Sequence, residues 1–353
     1  MSTTAFTTAI AQARDLLRWR SPLRTELWAA RLTTDLEPGE VESFLGRLVE
    51  DGSTEARLTL AALSAVNTTT AAGEGGSPSA DEDADAGVFV RAGSGVVETL
   101  PGWVRRMGRV TCEGAWYGKA DPFGEQTLAA MSFRYENGKE AHLLVVGIDQ
   151  VSGGLAVDAV VEEIKFLDDL DLRAEEPGVV AGRVLDAFEL SDRIMGAMVA
   201  DTLPAVRPIA LLRARAVPDL VRPAPDDTVS RFRELPRTAA GDSPSPERSG
   251  LPDLPGAQEA FEKLVEFVGD RPLWWSPARA TQFLTSWLPR EAILSEAGIA
   301  ATPEVARAWS LFSGGHPEVL ARIDEGAPRL PALMADESLA GLGKRIAQAQ
   351  RDR

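Results

Sequence analysis

The stretch 126–149 constrains this chain most, because two apolar-rich runs there flank the dipeptide Asn137-Gly138. Asn and Gly tolerate the two positive φ angles of a type I′ turn, so the pattern predicts a β-hairpin with a two-residue loop. In that register Glu136 faces Lys139, Phe133 faces His142 and Met131 faces Leu144 across the strands. Upstream, 109–117 alternates as a strand and Asp121-Pro122-Phe123-Gly124 reads as a turn. Downstream, Leu155, Val157, Ala159 and Val161 alternate after Gly153-Gly154. A central antiparallel sheet of three or four strands is the expectation.

Helical periodicity brackets this sheet. Ile10, Leu16 and Leu17, then Leu23, Leu27, Trp28 and Leu32, recur at spacings of three and four. Pro38-Gly39-Glu40 opens a further helix through Phe44, Leu45 and Leu48, and 54–66 keeps the same period. Beyond the sheet, 177–188 and 204–217 read as helices. Ser276-Pro277 and Thr302-Pro303 each place a capping hydroxyl before a first-turn proline. The helices they start carry Phe283, Leu284, Trp287 and Leu288 on one apolar face, and Val305, Ala308, Trp309 and Phe312 on another.

The fold class is therefore α+β: an N-terminal helical bundle over 1–67, a sheet domain over 88–222 and a C-terminal helical region over 256–353. Two polar stretches separate them. The first, 68–87, contains the acidic run Asp81-Glu82-Asp83-Ala84-Asp85; the second, 223–255, is rich in Pro, Ser, Asp and Arg. Both are too poor in apolar residues to bury a core and read as linkers or loops.

A chain of 353 residues accommodates two or three such units. Its formal net charge of -16 makes the far field repulsive to nucleic acid and to anionic membrane surfaces. The N-terminal residues lack the pattern of a signal peptide, and no stretch reaches the length of a bilayer-spanning helix, so a soluble, cytoplasmic protein is expected. Cys112 is the one cysteine, and His142 and His316 are the two histidines. No intramolecular disulfide can form, and a Cys/His zinc site cannot be assembled.

The segments Glu26-Leu27-Trp28-Ala29-Ala30, 142–154 and Trp275-Ser276-Pro277 through Phe283-Leu284 to Trp287-Leu288-Pro289-Arg290, with Ala308-Trp309 beyond, resemble an uncharacterised family of cytosolic actinobacterial proteins. The resemblance touches the beginning, middle and end of the chain and implies one shared architecture and a soluble protein. It brings no substrate and no catalytic residue. Where this chain reads Gly147-Ile148-Asp149-Gln150, that family more often carries Val-Asp-His, so a histidine is missing here.

Candidate chemistry is sparse. His142, opposite Phe133, fits a half-buried polar partner better than an acid–base catalyst, and His316 before Pro317 fits a helix start. Cys112 pairs with Ala130 if the turn after its strand is symmetrical, which puts it on the sheet face away from His142; a one-residue bulge would reverse this. No Gly-x-Ser-x-Gly elbow accompanies a serine, and the glycine pairs match no nucleotide fingerprint. Asp149, Glu163 and Lys165 form the sharpest catalytic hypothesis. A strand-end carboxylate followed by Glu-x-Lys is the pattern with which metal-dependent nucleases hold Mg²⁺ and assist the attacking water.

Arg207, Arg213, Arg215, Arg222, Arg231, Arg233 and Arg237 make a locally basic stretch that could meet phosphate. Interrupting acids and prolines favour helix-surface charge instead. Trp274-Trp275 is unusual because adjacent residues cannot share one helical stripe; one of them is a candidate partner-binding anchor. The expectation that follows is a non-enzymatic protein-interaction or regulatory protein with a protein partner and no cofactor. A metal-dependent phosphodiesterase or nuclease requiring Mg²⁺ is the alternative, and nucleic-acid binding through 207–237 the third.

Overall fold

The computed structural model describes residues 3–67, 97–221, 226–238 and 250–351. The expected acidic linker 68–87 lies outside the described residues. The chain is α+β, with one five-stranded antiparallel sheet between helical regions. It divides into two compact units: 1–118 with 128–149 and 154–223, and 119–127 with 150–153 and 224–353. The helices expected as a separate bundle over 1–67 thus belong to the same unit as the sheet.

In the first unit the N-terminal helices are α1 (Thr3–Trp19), α2 (Pro22–Asp35), α3 (Val41–Asp51) and α4 (Thr54–Val66). Ser21 and Ser53 cap α2 and α4, each hydroxyl accepting from a backbone N–H of the first turn, Arg24 at 3.1 Å and Ala56 at 3.2 Å. Phe44, Leu48, Leu58 and Leu63 form the centre of their apolar core.

The sheet is β1 (Val110–Lys119), β2 (Gln126–Tyr135), β3 (His142–Asp149), β4 (Leu155–Glu162) and β5 (Arg173–Glu175), in the spatial order β4-β3-β2-β1-β5. Period-two alternation sends Met131 and Phe133 of β2 and Leu144 and Val146 of β3 into one core with Val180, Val184 and Phe188 of α5 (Pro177–Arg193) and Ala210 and Ala214 of α6 (Thr202–Arg215). Each such large side chain, fully buried, contributes about 1.5–3 kcal/mol.

The hairpin exists, but its turn is of another type. Gly138 N donates to Tyr135 O at 2.8 Å and Tyr135 N to Lys139 O at 3.3 Å, so the loop is the three residues Glu136, Asn137 and Gly138. Gly138 has φ +71 whereas Asn137 is not in the left-handed region, which defines a type I turn followed by a glycine bulge rather than type I′. Glu140, at φ +51, adds a second irregularity. The expected facing of Phe133 and His142 is nevertheless found, with their rings stacked at 5.9 Å between centroids.

A second correction concerns β1. Val110 and Cys112 enter the same core as Ala115 and Tyr117, so the alternation slips by one residue between Cys112 and Ala115. Gly114 occupies the slip, where a Cβ would stand 2.7 Å from the Trp116 ring. Cys112 therefore lies on the face that carries Phe133 and Leu144, not on the opposite one.

The second unit is built from α7 (Thr228–Glu234), α8 (Ala257–Val268), α9 (Pro277–Gln282), a π-helical turn Phe283–Trp287, α10 (Leu288–Glu291), α11 (Glu296–Phe312), α12 (Pro317–Gly326), α13 (Leu330–Ala335) and α14 (Leu342–Arg351). Part of the expected linker 223–255 is thus helix, and its Phe232 is fully buried against Phe261 and Trp309. Ser276 caps α9 as expected. Pro303, by contrast, lies inside α11, whose cap is Ser295, while the Thr302 hydroxyl donates back to Gly298 O at 2.8 Å.

Candidate functional site

Helix α2 has two contrasting faces. The face turned inward is small or ionic: Pro22, Thr25, Glu26, Ala29 and Ala30 are its buried residues. The bulky Leu23, Leu27, Trp28 and Leu32, whose spacing predicts the helix, are half-buried, Trp28 and Leu32 packing against the core of the N-terminal helices.

Inward, Glu26 is completely buried and its carboxylate accepts three hydrogen bonds. Gly108 N donates to Oε1 at 2.5 Å, the Tyr135 hydroxyl donates to Oε2 at 2.7 Å, and Arg213 Nη2 of α6 forms an ion pair with Oε2. Arg213, also fully buried, donates from Nη2 to Tyr135 Oη at 2.9 Å and from Nε to His142 Nε2 at 3.0 Å. For Nε2 to accept, the His142 proton sits on Nδ1, which lies 2.8 Å from Glu140 O and donates to it. The Ser21 hydroxyl, at the start of α2, bonds the Glu140 carboxylate. The irregular position Glu140 thus bonds both the cap of α2 and His142.

This environment fixes the charges. Burial, reinforced by the Arg213 guanidinium, lowers the His142 pKa to about 4, so the imidazole is neutral. Burial and then the Glu26 carboxylate push the Tyr135 hydroxyl above its ordinary value. Burial alone would lower the Arg213 pKa, but Glu26 and Tyr135 together outweigh it and hold the group firmly charged. Glu26, Arg213, His142 and Tyr135 are sealed from solvent, so they can orient α2 against the sheet and α6 but cannot meet a substrate. Arg213 was expected as helix-surface charge; it is instead the cation of a buried pair.

Outward, α1 and α2 enclose a groove of about 490 Å³ lined by Gln12, Asp15, Leu16, Trp19, Arg24, Leu27, Trp28, Arg31, Leu32 and Asp35. Trp19 is 59% exposed, with the Arg24 guanidinium 5.0 Å from its ring. Trp28 Nε1 donates to Gln12 Oε1 at 2.7 Å, which fixes the second indole. The groove has apolar side chains, two tryptophans and a rim of both charge signs.

The catalytic candidates do not converge. Asp149 pairs with Leu155 at one end of β4, whereas Leu143 pairs with Glu162 at the other, one residue before Glu163. Seven steps of strand separate the two ends, about 23 Å at strand rise. Glu163 and Lys165 pair with each other at 2.7 Å, both largely exposed. Among the described residues no group of three or more His, Cys, Asp or Glu could hold a metal ion. Cys112, although on the face of Phe133, has its thiol 3.5 Å from Gly114 O, and burial raises its pKa away from thiolate chemistry.

Arg207 pairs with Asp192, Arg231 with Asp227 and Arg237 with Asp253, while Arg233 stacks on Phe261 at 5.5 Å. Arg215 is exposed, and Arg222 lies outside the described residues. Trp275 is 2% exposed and donates to Ser310 Oγ at 2.7 Å, so it is a core residue rather than a partner anchor. Trp274 is half-buried between arginines. His316 stands at the N-cap of α12 without a capping bond, its ring 5.3 Å from Phe123.

Among the described residues no helix is long and apolar enough to cross a membrane. Comparison of the chain with protein families, curated proteins and solved structures finds no match.

Proposed function

We propose that this is a cytoplasmic, non-enzymatic binding protein whose α1–α2 groove receives an amphipathic helix of a partner protein. The observation that carries this reading is the groove face of α2: Leu27, Trp28 and Leu32 line an open groove rimmed by Arg24, Arg31 and Asp35, while Glu26 on the other face is buried. A groove between two helices suits a third helix that inserts residues spaced at three and four, and tryptophan and arginine are the side chains most enriched where binding energy concentrates. Trp28, held by Gln12, enters such a complex with part of its rotamer freedom already lost, and Trp19 beside Arg24 offers an exposed ring. The mixed rim of Asp15, Asp35, Arg24 and Arg31 favours a partner with charges of both signs flanking its apolar stripe.

The test is selection from a display library of helical peptides on the intact protein, with Trp19→Asp protein as the counter-target. Enrichment of sequences with an apolar i, i+3/4, i+7 stripe that lose binding to the variant is expected. Peptides that bind both proteins equally, or no enrichment at all, would refute the groove.

A further inference from the structure

The second unit buries an arginine to which no described residue gives a carboxylate. Arg279 is 8% exposed, and its guanidinium lies 4.2 Å from the Phe267 ring centroid and 4.1 Å from that of Trp274. Arg271 follows on Trp274 at 5.1 Å, so the indole contacts two guanidinium groups. Gly124 helps to set this segment: at φ +72, a Cβ on it would stand 1.9 Å from Leu273 O, so the preceding turn can approach the chain entering Trp274 only as glycine.

Ring faces attract the cations but offer no hydrogen-bond acceptor. Arg279 Nη2 donates to Phe267 O at 3.0 Å and Arg271 Nη1 to Gln150 O. Arg279 Nε and Trp274 Nε1 are buried and have no acceptor among the described residues. The carboxylate in ion-pair range of this group is that of Asp270, 3.7 Å from Arg271 Nε, with its side chain 94% exposed. Burial, and then the neighbouring Arg271 charge, lower the Arg279 pKa to about 10. Buried donors are almost always satisfied in native proteins, and two unsatisfied ones on stacked neighbours, beside two cations, favour an acceptor that carries negative charge.

We propose that Arg279, Trp274 and Arg271 form a binding site for an oxyanion, the phosphate or carboxylate group of an anionic ligand. The site uses residues of the second unit alone and does not depend on the α1–α2 groove. Its test is a titration of the intact protein with inorganic phosphate, and separately with succinate, at constant ionic strength maintained with chloride. Melting temperature and tryptophan emission are both read. A saturable rise in melting temperature with one of the two anions is expected, with an emission change that Trp274→Phe removes. Arg271→Gln, at the more exposed cation, should weaken the affinity about tenfold, the worth of one charge-assisted hydrogen bond. Whichever anion acts identifies the group recognised. No response beyond that to chloride, or a response unchanged in Arg271→Gln and Trp274→Phe, would overturn the site and leave bound water as the partner of the two donors.

Discussion

The two faces of α2 differ in kind: one is buried through small residues and a single ion pair, the other sets half-buried apolar side chains among exposed charges. Its inward face buries Glu26 against Arg213, Tyr135 and His142, and its outward face leaves Leu27, Trp28 and Leu32 beside an open groove. The groups that look capable of chemistry are closed to solvent and serve to hold the helix. The groups that look like core line the groove, Trp28 and Leu32 with one side still on the core of the N-terminal helices. A buried ion pair is a costly way to attach a helix, often no better than apolar packing, but it fixes one orientation sharply. Here that orientation is the one that presents the groove.

The largest effect expected from breaking this arrangement comes at the buried pair. Glu26→Gln leaves Arg213 charged and unmatched in the interior and should cost about 3–5 kcal/mol in urea denaturation, whereas the double replacement Glu26→Leu with Arg213→Met should recover much of the loss. A single-variant loss below about 1 kcal/mol would show that the pair does not hold α2.

Next in size is the pH dependence of the same network. The His142 pKa is near 4 in the folded chain and about 6.5 when unfolded, so between these values the unfolded state binds the extra proton. Stability should therefore be fully present above pH 6.5 and fall as the pH drops toward 4, by on the order of 3 kcal/mol from this group. His142→Gln should show a shallower decline over that window than the parent protein, measured by denaturant midpoints at each pH. Parallel curves would mean that the imidazole is not held neutral.

The hairpin that feeds Tyr135 and His142 into the network offers a smaller, sharper test. Gly138→Val forces a β-branched residue into φ +71 and should cost about 1–3 kcal/mol, while Asn137→Ala should cost under about 1 kcal/mol because that position keeps a negative φ. Equal damage from both would favour the two-residue turn after all. On the outward face, Trp19→Ala should change stability by no more than about 0.5 kcal/mol, since the indole is mostly in solvent, yet remove peptide binding.

The sheet was legible in the sequence because alternation survives a bulge: misassigning the turn at Asn137-Gly138 still left Phe133 and His142 face to face. The position of Cys112 was lost to the same kind of irregularity, a one-residue slip at Gly114 with no compensating one. Thr302-Pro303 misled because proline at the eighth residue of α11 looks locally like a helix start. The network is hidden in the sequence because the bulky apolar stripe of α2 is the more conspicuous of its two faces. The signal that could have found it is the alternative stripe, Thr25, Glu26, Ala29 and Ala30, matched on α6 by Ile209, Ala210, Arg213 and Ala214. An acid on one small-residue stripe and a base on another each require a buried partner, and so point to one another. The groove itself depends on how α1 meets α2, which no local pattern specifies.

Hydrogen–deuterium exchange on the full-length protein, with and without a peptide selected as above, tests the central claim most directly. New protection is predicted in α1 and α2, over Gln12 to Trp19 and Arg24 to Asp35, with none of it in the Trp19→Asp variant. Protection appearing instead at Ile194 to Val199, where Met195 and Met198 are 98% and 92% exposed, with α1 and α2 unchanged, would contradict it.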